Sequence, residues 1–314
     1  MDYVTLGRTG LQVSVMGLGG GGHSRLGQAT GNSPEQSIAI VQRALDLGVN
    51  FIDTAEAYGT EAIIGQALRG RKRDGVSLST KKSMAREGVL VTPEEVVQGL
   101  EGSLQRLGTD CVEVYHLHGV REEQYDYARD NLVPALRKLQ QQGKIRFLGI
   151  TEVFAADPAH RMMTRAVQDD CWDVVMVGFN ILNQSARERI FAHTLQRGIG
   201  VLDMFAVRQA LSQPTKLQQT IAQLIEQGAI EGELVPDKSD PLGFLTREGG
   251  AHSLPDAAYR FCRAEPGVHV VLSGTGNMHH LEENINSILQ PPLPPQYRER
   301  LMRMFAGVDS VSGQ

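Results

Sequence analysis

The feature that most constrains this chain is its rhythm: short apolar runs alternate with amphipathic stretches at helical spacing, eight times over. Apolar runs of that kind, each separated from the next by a helix, pair as a mainly parallel sheet with helices covering its faces. Eight units favour closure into a (β/α)8 TIM barrel, and the 314 residues suit one such domain, 1–314. An open doubly wound sheet is the alternative. It uses fewer strands and carries a GxGxxG turn between a strand and the helix directly after it. Gly19–Gly22 is not that turn, because the next helix begins about twelve residues later; the glycine run reads as a loop beside a ligand.

In chain order, Tyr3–Leu6 and Leu11–Val13 flank Gly7–Gly10 as a small N-terminal β-hairpin, and Val15–Leu18 is the first barrel strand. Ser33-Pro34-Glu35-Gln36 starts a helix with a serine cap, proline at the first helical position and a returning glutamine. Thr92-Pro93-Glu94-Glu95 repeats the device, and Ser185–Glu188 is read as a third capping box. The remaining strands are expected to end at Asp53, at Thr80 next to Lys81, and at His118, Ile150, Val177, Met204 and Leu272. Helices are expected near Pro158–Asp169, Lys216–Gln227 and Met278–Leu289. Phe205–His252 departs from the rhythm as a long excursion after strand seven, and Pro291–Pro295 reads as the end of regular structure.

Charge and composition narrow the partners. The formal net charge of -5 argues against nucleic acid or an anionic membrane. No run approaches the roughly 18 apolar residues of a membrane span, and the N-terminus has no signal pattern. Cys111, Cys171 and Cys262 are odd in number and far apart, as reduced core residues would be. A cytoplasmic protein of unknown oligomeric state is expected, with a small molecule as its partner.

In a barrel, chemistry collects at the C-terminal ends of the strands. Asp53 ends strand two, Tyr58 lies in the loop after it, Lys81 ends strand three and His118 ends strand four. An acid and a lysine in a partly dry mouth need each other, since an isolated buried charge is costly. The lysine cation is then expected to lower the Tyr58 pKa by favouring phenolate, which suits proton exchange near neutrality.

With those residues in place, the chain resembles the aldo-keto reductase family over nearly its whole length. The resemblance rests on LGRTGLQVSVMGLGG, NFIDTAEAYG, LSTKK, DCVEVYHLHG, GKIRFLGIT and HLEENI. It implies a barrel that binds NADP(H) or NAD(H) in extended form, with Tyr58 as proton donor, Lys81 and Asp53 as its tuning pair, and His118 orienting a carbonyl. Hydride would pass between the nicotinamide and an aldehyde, ketone or sugar.

The resemblance also assigns cofactor contacts, several of which depart from the family pattern. Thr151-Glu152 stands where Ser-Asn usually holds the nicotinamide amide, Met176 where a glutamine is expected, and Met204 where an aromatic commonly stacks on the ring. Ser273-Gly274-Thr275-Gly276-Asn277, between strand eight and a helix, is expected to hold phosphate, with Glu283 and Asn284 nearby. Gly274 and His280 occupy positions where members selecting a 2′-phosphate often have lysine or arginine, so Arg208 is the candidate for the missing charge and the preference between NADP and NAD stays open.

Two other functions fit parts of the pattern. His116 and His118, two apart on one strand, share a side, as ligands of a metal-dependent barrel hydrolase would. A non-catalytic regulatory subunit on the same fold would bind nicotinamide as a sensor. The substrate would be set by rim loops, where His23, Arg25, Arg121, Tyr125 and Tyr127 suggest a sugar or small aldehyde.

Overall fold

The computed structural model describes all residues, 1–314. An N-terminal hairpin, β1 (Tyr3–Thr5) and β2 (Gln12–Ser14), precedes the first barrel strand, β3 (Met16–Gly19). Next come β4 (Phe51–Asp53) and β5 (Ser77–Ser83), a second small hairpin of β6 (Ala85–Arg86) and β7 (Val89–Leu90), and β8 (Val112–Val120). The last four are β9 (Ile145–Glu152), β10 (Val174–Gly178), β11 (Gly200–Met204) and β12 (Val270–Ser273). Eight of these close into a parallel barrel in the order β10-β11-β12-β3-β4-β5-β8-β9. The β6–β7 hairpin, which the sequence did not disclose, is inserted at the rim directly after the Lys81 strand.

The barrel interior is filled by Phe51, Val114, Val174, Met176, Leu202 and Val270, and Leu6, Leu11 and Val13 of the hairpin complete the same cluster. Arg8 N donates to Gly198 O before β11, and Asn50 Oδ1 accepts from Ser14 N before β4. These bonds seat the hairpin on the strand starts, so it plugs the N-terminal end of the barrel. With that end sealed, side chains at the strand ends open only toward the opposite mouth.

Local signals decide several elements. The helices Pro34–Asp46 and Pro93–Leu107 begin with complete capping boxes at Ser33/Gln36 and Thr92/Glu95. The third expected box does not form. Ser185 Oγ donates to Asn183 Oδ1, and the segment behind it, Arg187–Phe191, winds as a π-turn before the helix Ala192–Arg197. The helix expected near Pro158–Asp169 is confined to Arg161–Ala166, entered through His160 in the left-handed region at φ 59°. Regular structure also continues past the proline-rich stretch: Pro295 opens the helix Pro295–Met304, since proline terminates a preceding helix but is compatible with a first turn.

The excursion after β11 packs as helices Gln209–Ser212, Pro214–Glu226 and Phe244–Arg247, with Leu217, Ile221, Leu224, Phe244 and Leu245 buried. Behind the barrel wall, Asp203 of β11 is fully buried. Its Oδ1 accepts from Phe179 N at 3.1 Å and its Oδ2 has no partner. Burial pushes this carboxyl well above its ordinary value, against the pull of the Cys262 thiol and the Phe179 amide. All three cysteines are unpaired thiols, and no helix is long and apolar enough to cross a membrane.

Candidate active site

The strand ends bring the four expected residues together. Asp53 closes β4 and is buried, with Oδ1 accepting from Ser79 Oγ at 2.7 Å and Oδ2 from Lys81 Nζ at 2.6 Å. Lys81 Nζ also donates to Thr54 O at 2.7 Å. Lys81 is wholly out of solvent, so its charge is sustained by these fixed oxygens in place of water. Burial raises the Asp53 carboxyl pKa, with Lys81 and Ser79 drawing it down.

Tyr58 is carried by a single turn, Glu56–Tyr58, between β4 and the helix Glu61–Leu68. Two tethers hold this turn. The Thr54 and Thr60 hydroxyls bond each other at 2.8 Å in a buried position, closing the loop at its base, and Lys82 Nζ pairs with Glu56 Oε2 at 2.8 Å. Gly21 is required by close approach, because a Cβ there would lie 2.5 Å from the Tyr58 ring. So held, the phenol oxygen lies 3.1 Å from His118 Nε2, the two rings stand at 86°, and Lys81 Nζ is 5.1 Å from the phenol ring centre.

The electrostatics correct one sequence expectation. Lys81 does favour phenolate at Tyr58, as does Arg208, but burial opposes both and Asp53 adds to it, so the phenol pKa is raised above its ordinary value. Burial, then Lys81, lowers the His118 pKa to about 3, leaving a neutral imidazole at working pH. His116, paired in register with Lys81, is fully buried with neither ring nitrogen bonded, and burial, Lys81 and His118 hold it well below its ordinary value. Its ring fills the space left by Gly149, where a Cβ would lie 2.2 Å away. A metal site built on His116 and His118 lacks ligands, since no group of three or more His, Cys, Asp or Glu converges.

The residues expected around a nicotinamide separate. Thr151 and Met176 are register partners across β9 and β10, and Met204 pairs with Gly178 across β10 and β11. Met176 belongs to the interior cluster and Met204 packs against it. Thr151 Oγ1 accepts from Gly119 N at 2.8 Å. Glu152, the next residue along the strand, takes the other face. Its carboxylate accepts from Gly178 N at 2.8 Å and bonds His160 Nδ1 at 2.9 Å, fully buried.

Sequence reading missed a stack of three rings here. His160 stacks on Phe154 with ring centres 5.1 Å apart, and Phe154 meets the edge of Phe205 at 5.6 Å. Phe205 directly follows Met204 and is set at φ 72°. An aromatic directly after Met204 was the available signal.

Beyond β12, Ser273 Oγ bonds Tyr259 OH and Asn284 Nδ2, each at 2.9 Å. Asn277 caps the helix Met278–Leu289 by accepting from His279 N and His280 N, while Asn277 N donates to Thr275 Oγ1. The amides of Gly274, Thr275 and Gly276 donate to no protein acceptor. Three successive N–H groups without a protein acceptor before a helix are donors of the kind an anion takes, so the residues present fit a phosphate-bearing cofactor. Glu283 lies off this turn, exposed beside His279. The sequence reading also put Tyr125 on the rim, but it is buried and its OH donates to Asp169.

Comparison with known proteins finds relatives over nearly the whole length of the chain. A family profile described as the aldo/keto reductase family matches residues 16–303. L-galactose dehydrogenase of Arabidopsis thaliana is 28% identical over 303 residues, covering 92% of this chain and 89% of the relative. Among solved structures, the holo form of aldo-keto reductase AKR11C1 from Bacillus halodurans superposes with a TM-score of 0.75 at 23% identity, covering 99% of this chain and 98% of that one. The thermostable aldo-keto reductase Tm1743, solved with the inhibitor epalrestat, gives 0.71 at 22% identity, covering 96% and 98%.

Proposed function

The chain belongs to the aldo/keto reductase family, and from that premise we propose that it interconverts a carbonyl compound and an alcohol by hydride transfer, with Tyr58 as the proton donor. The observation that carries this reading is the phenol of Tyr58 set 3.1 Å from a neutral His118 beside the buried Lys81–Asp53 pair. A nicotinamide dinucleotide, when bound, supplies or removes the hydride. Tyr58 gives its proton to the carbonyl oxygen in reduction and receives one from the alcohol in oxidation. Lys81 offsets the negative charge that develops on the phenol oxygen, and Asp53 keeps that cation in place. His118, uncharged, hydrogen-bonds the same oxygen and so fixes where a carbonyl can sit.

Thr151, Met176 and Met204 are the residues we assign to the nicotinamide, with Met thioethers packing on the ring in place of an aromatic. Ser273, Gly274, Thr275, Asn277 and Asn284 are assigned to phosphate, and Arg208 to cofactor charge. Glu152 contributes from behind, through His160 and the Gly178 amide, and Glu283 has no assigned contact. The substrate we favour is a small polar carbonyl or sugar. Exposed His23, Arg25 and Arg121 on the rim loops support it, as does the likeness to a sugar dehydrogenase. An absorbance assay at the reduced-nicotinamide band, with NADH and NADPH separately and in both directions against aldehydes and sugars, tests the reading. Turnover with at least one pair is expected. No turnover in either direction across the panel would overturn it.

A further inference from the structure

His160 at φ 59° and Phe205 at φ 72° both hold left-handed backbone, which a side chain disfavours and which persists only where the surroundings enforce it. One run of contacts joins them. The His160 ring lies on Phe154 at an interplanar angle of 12°, and Phe154 meets Phe205 edge-on at 89°. Phe154 reaches that place because Gly178 has no side chain: a Cβ there would lie 2.1 Å from its ring.

At the root of this run is Glu152. Its carboxylate and the His160 ring are wholly out of solvent, and both carboxylate oxygens lie 2.9 Å from His160 Nδ1. A carboxylate only accepts, so Nδ1 carries the imidazole proton, and Nε2, buried without a partner, is left as an acceptor. An amide at this position would set its NH2 against the Nδ1–H. The imidazole proton would then have to move to Nε2, as a buried donor with nothing to bond. Glu152 therefore fixes the tautomer as well as the ring. Its carboxylate also accepts from Gly178 N, and Gly178 pairs in register with Met204, the residue before Phe205. One side chain thus ties together the ends of β9, β10 and β11, the strands that carry Thr151, Met176 and Met204.

We propose, resting on the hydride-transfer function above, that Glu152 and His160 are a positioning pair: through Phe154 they fix Phe205 and the ends of these three strands, and so set the alignment of hydride donor and acceptor without adding to cofactor affinity. Rate is the sensitive quantity here, because a misplacement of about 1 Å that originates away from the chemistry lowers a rate on the order of a hundredfold.

Three variants of the full-length protein separate the parts. Glu152→Gln changes the carboxylate alone. His160→Asn keeps a donor and a residue at ease in left-handed backbone but removes the ring. Phe154→Leu removes the stack without touching the buried polar pair. Nitrogen-15 NMR of the unliganded protein should find the His160 proton on Nδ1 in wild type and on Nε2 in Glu152→Gln. In assays run well below each melting temperature, kcat should fall on the order of tenfold to a hundredfold in all three, with a larger primary deuterium isotope effect, while NADH and NADPH affinities from fluorescence titration stay within about threefold of wild type. The double variant Glu152→Gln with His160→Asn should be no slower than the slower single, as for residues that act as a unit. Unchanged kcat and isotope effect in the folded variants would make the pair purely structural and overturn the proposal. An affinity loss as large as the rate loss would assign the pair to cofactor binding and overturn it too, as would a wild-type His160 protonated on Nε2. Wild-type protein that turns over no carbonyl or alcohol with either dinucleotide would instead refute the function on which the proposal stands.

Discussion

The Tyr58 hydroxyl and His118 Nε2 share one hydrogen bond of 3.1 Å, with the imidazole edge-on to the phenol and held neutral by burial. The proton in that bond belongs to tyrosine across the working range, so in the proposed reaction the phenol serves as the acid and the histidine as its guide.

Removing the acid tests that division directly. Tyr58→Phe deletes one oxygen from a site whose ring packing against Gly21 is kept, so dinucleotide affinity should stay within about threefold while kcat falls roughly 10²- to 10⁴-fold. Stopped-flow turnover and fluorescence titration on the same preparation measure both. Equal turnover by the variant would refute the assignment.

The pH profile carries the sign of the two shifts. With His118 lowered to about 3, no limb near the ordinary histidine value should appear in either direction. The Tyr58 pKa is raised, so its phenol stays protonated past its ordinary ionisation near pH 10. Carbonyl reduction, which needs that proton, should hold through the ordinary tyrosine ionisation and decline only as phenolate forms above it. Alcohol oxidation, which needs phenolate, should climb over the same alkaline range. Measuring kcat/KM both ways from pH 5 to 11 checks this, and a limb between pH 6 and 7 assigned to His118 would contradict it.

The tether under Tyr58 makes a separable prediction. Thr54→Val or Thr60→Val leaves one buried hydroxyl without its partner, costing about 1–3 kcal/mol, whereas the double variant removes both and should be less destabilised than the two singles summed. If the tether positions Tyr58, kcat falls in each single variant while cofactor affinity is kept. Thermal melts and steady-state rates on the four proteins form the cycle. Strict additivity in the melts would show that the hydroxyls do not act as a pair.

Asp203 gives stability a pH slope. Its folded-state pKa is raised above the unfolded value, so the folded form holds the proton more tightly. The associated stability is fully present below about pH 4 and is lost as pH rises through the folded pKa. Asp203→Asn removes the titration, so its melting temperature should vary less between pH 4 and 9 and exceed that of wild type at the alkaline end. A wild-type curve that rises over this range while the variant's does the same would exclude Asp203 as a source of the slope.

What the sequence disclosed was local or periodic. Ser33 and Thr92 cap their helices because a cap needs only its own first turn. Ser185, with the same spacing, is claimed by Asn183, itself bonded to Pro158 O and Val311 O, far away in the chain. The tetrad could be read because strand ends in a barrel share one mouth. The direction of Glu152 was set by strand alternation and by His160, and a family position alone could not supply it. The sign of the Tyr58 shift depended on how dry the mouth is, a property of the assembled rim rather than of any motif.

The barrel is sealed by β12 lying beside β3, where Val271 pairs with Met16 and Ser273 with Leu18. The first barrel strand made therefore waits for the last. During synthesis, everything through β11 can assemble only as an open curved sheet with two unpaired edges, templates for pairing with another chain. The Ser273 turn is not fixed in place until that seam closes, so the chain acquires the free amides of Gly274–Gly276 in the same event that removes its exposed edges.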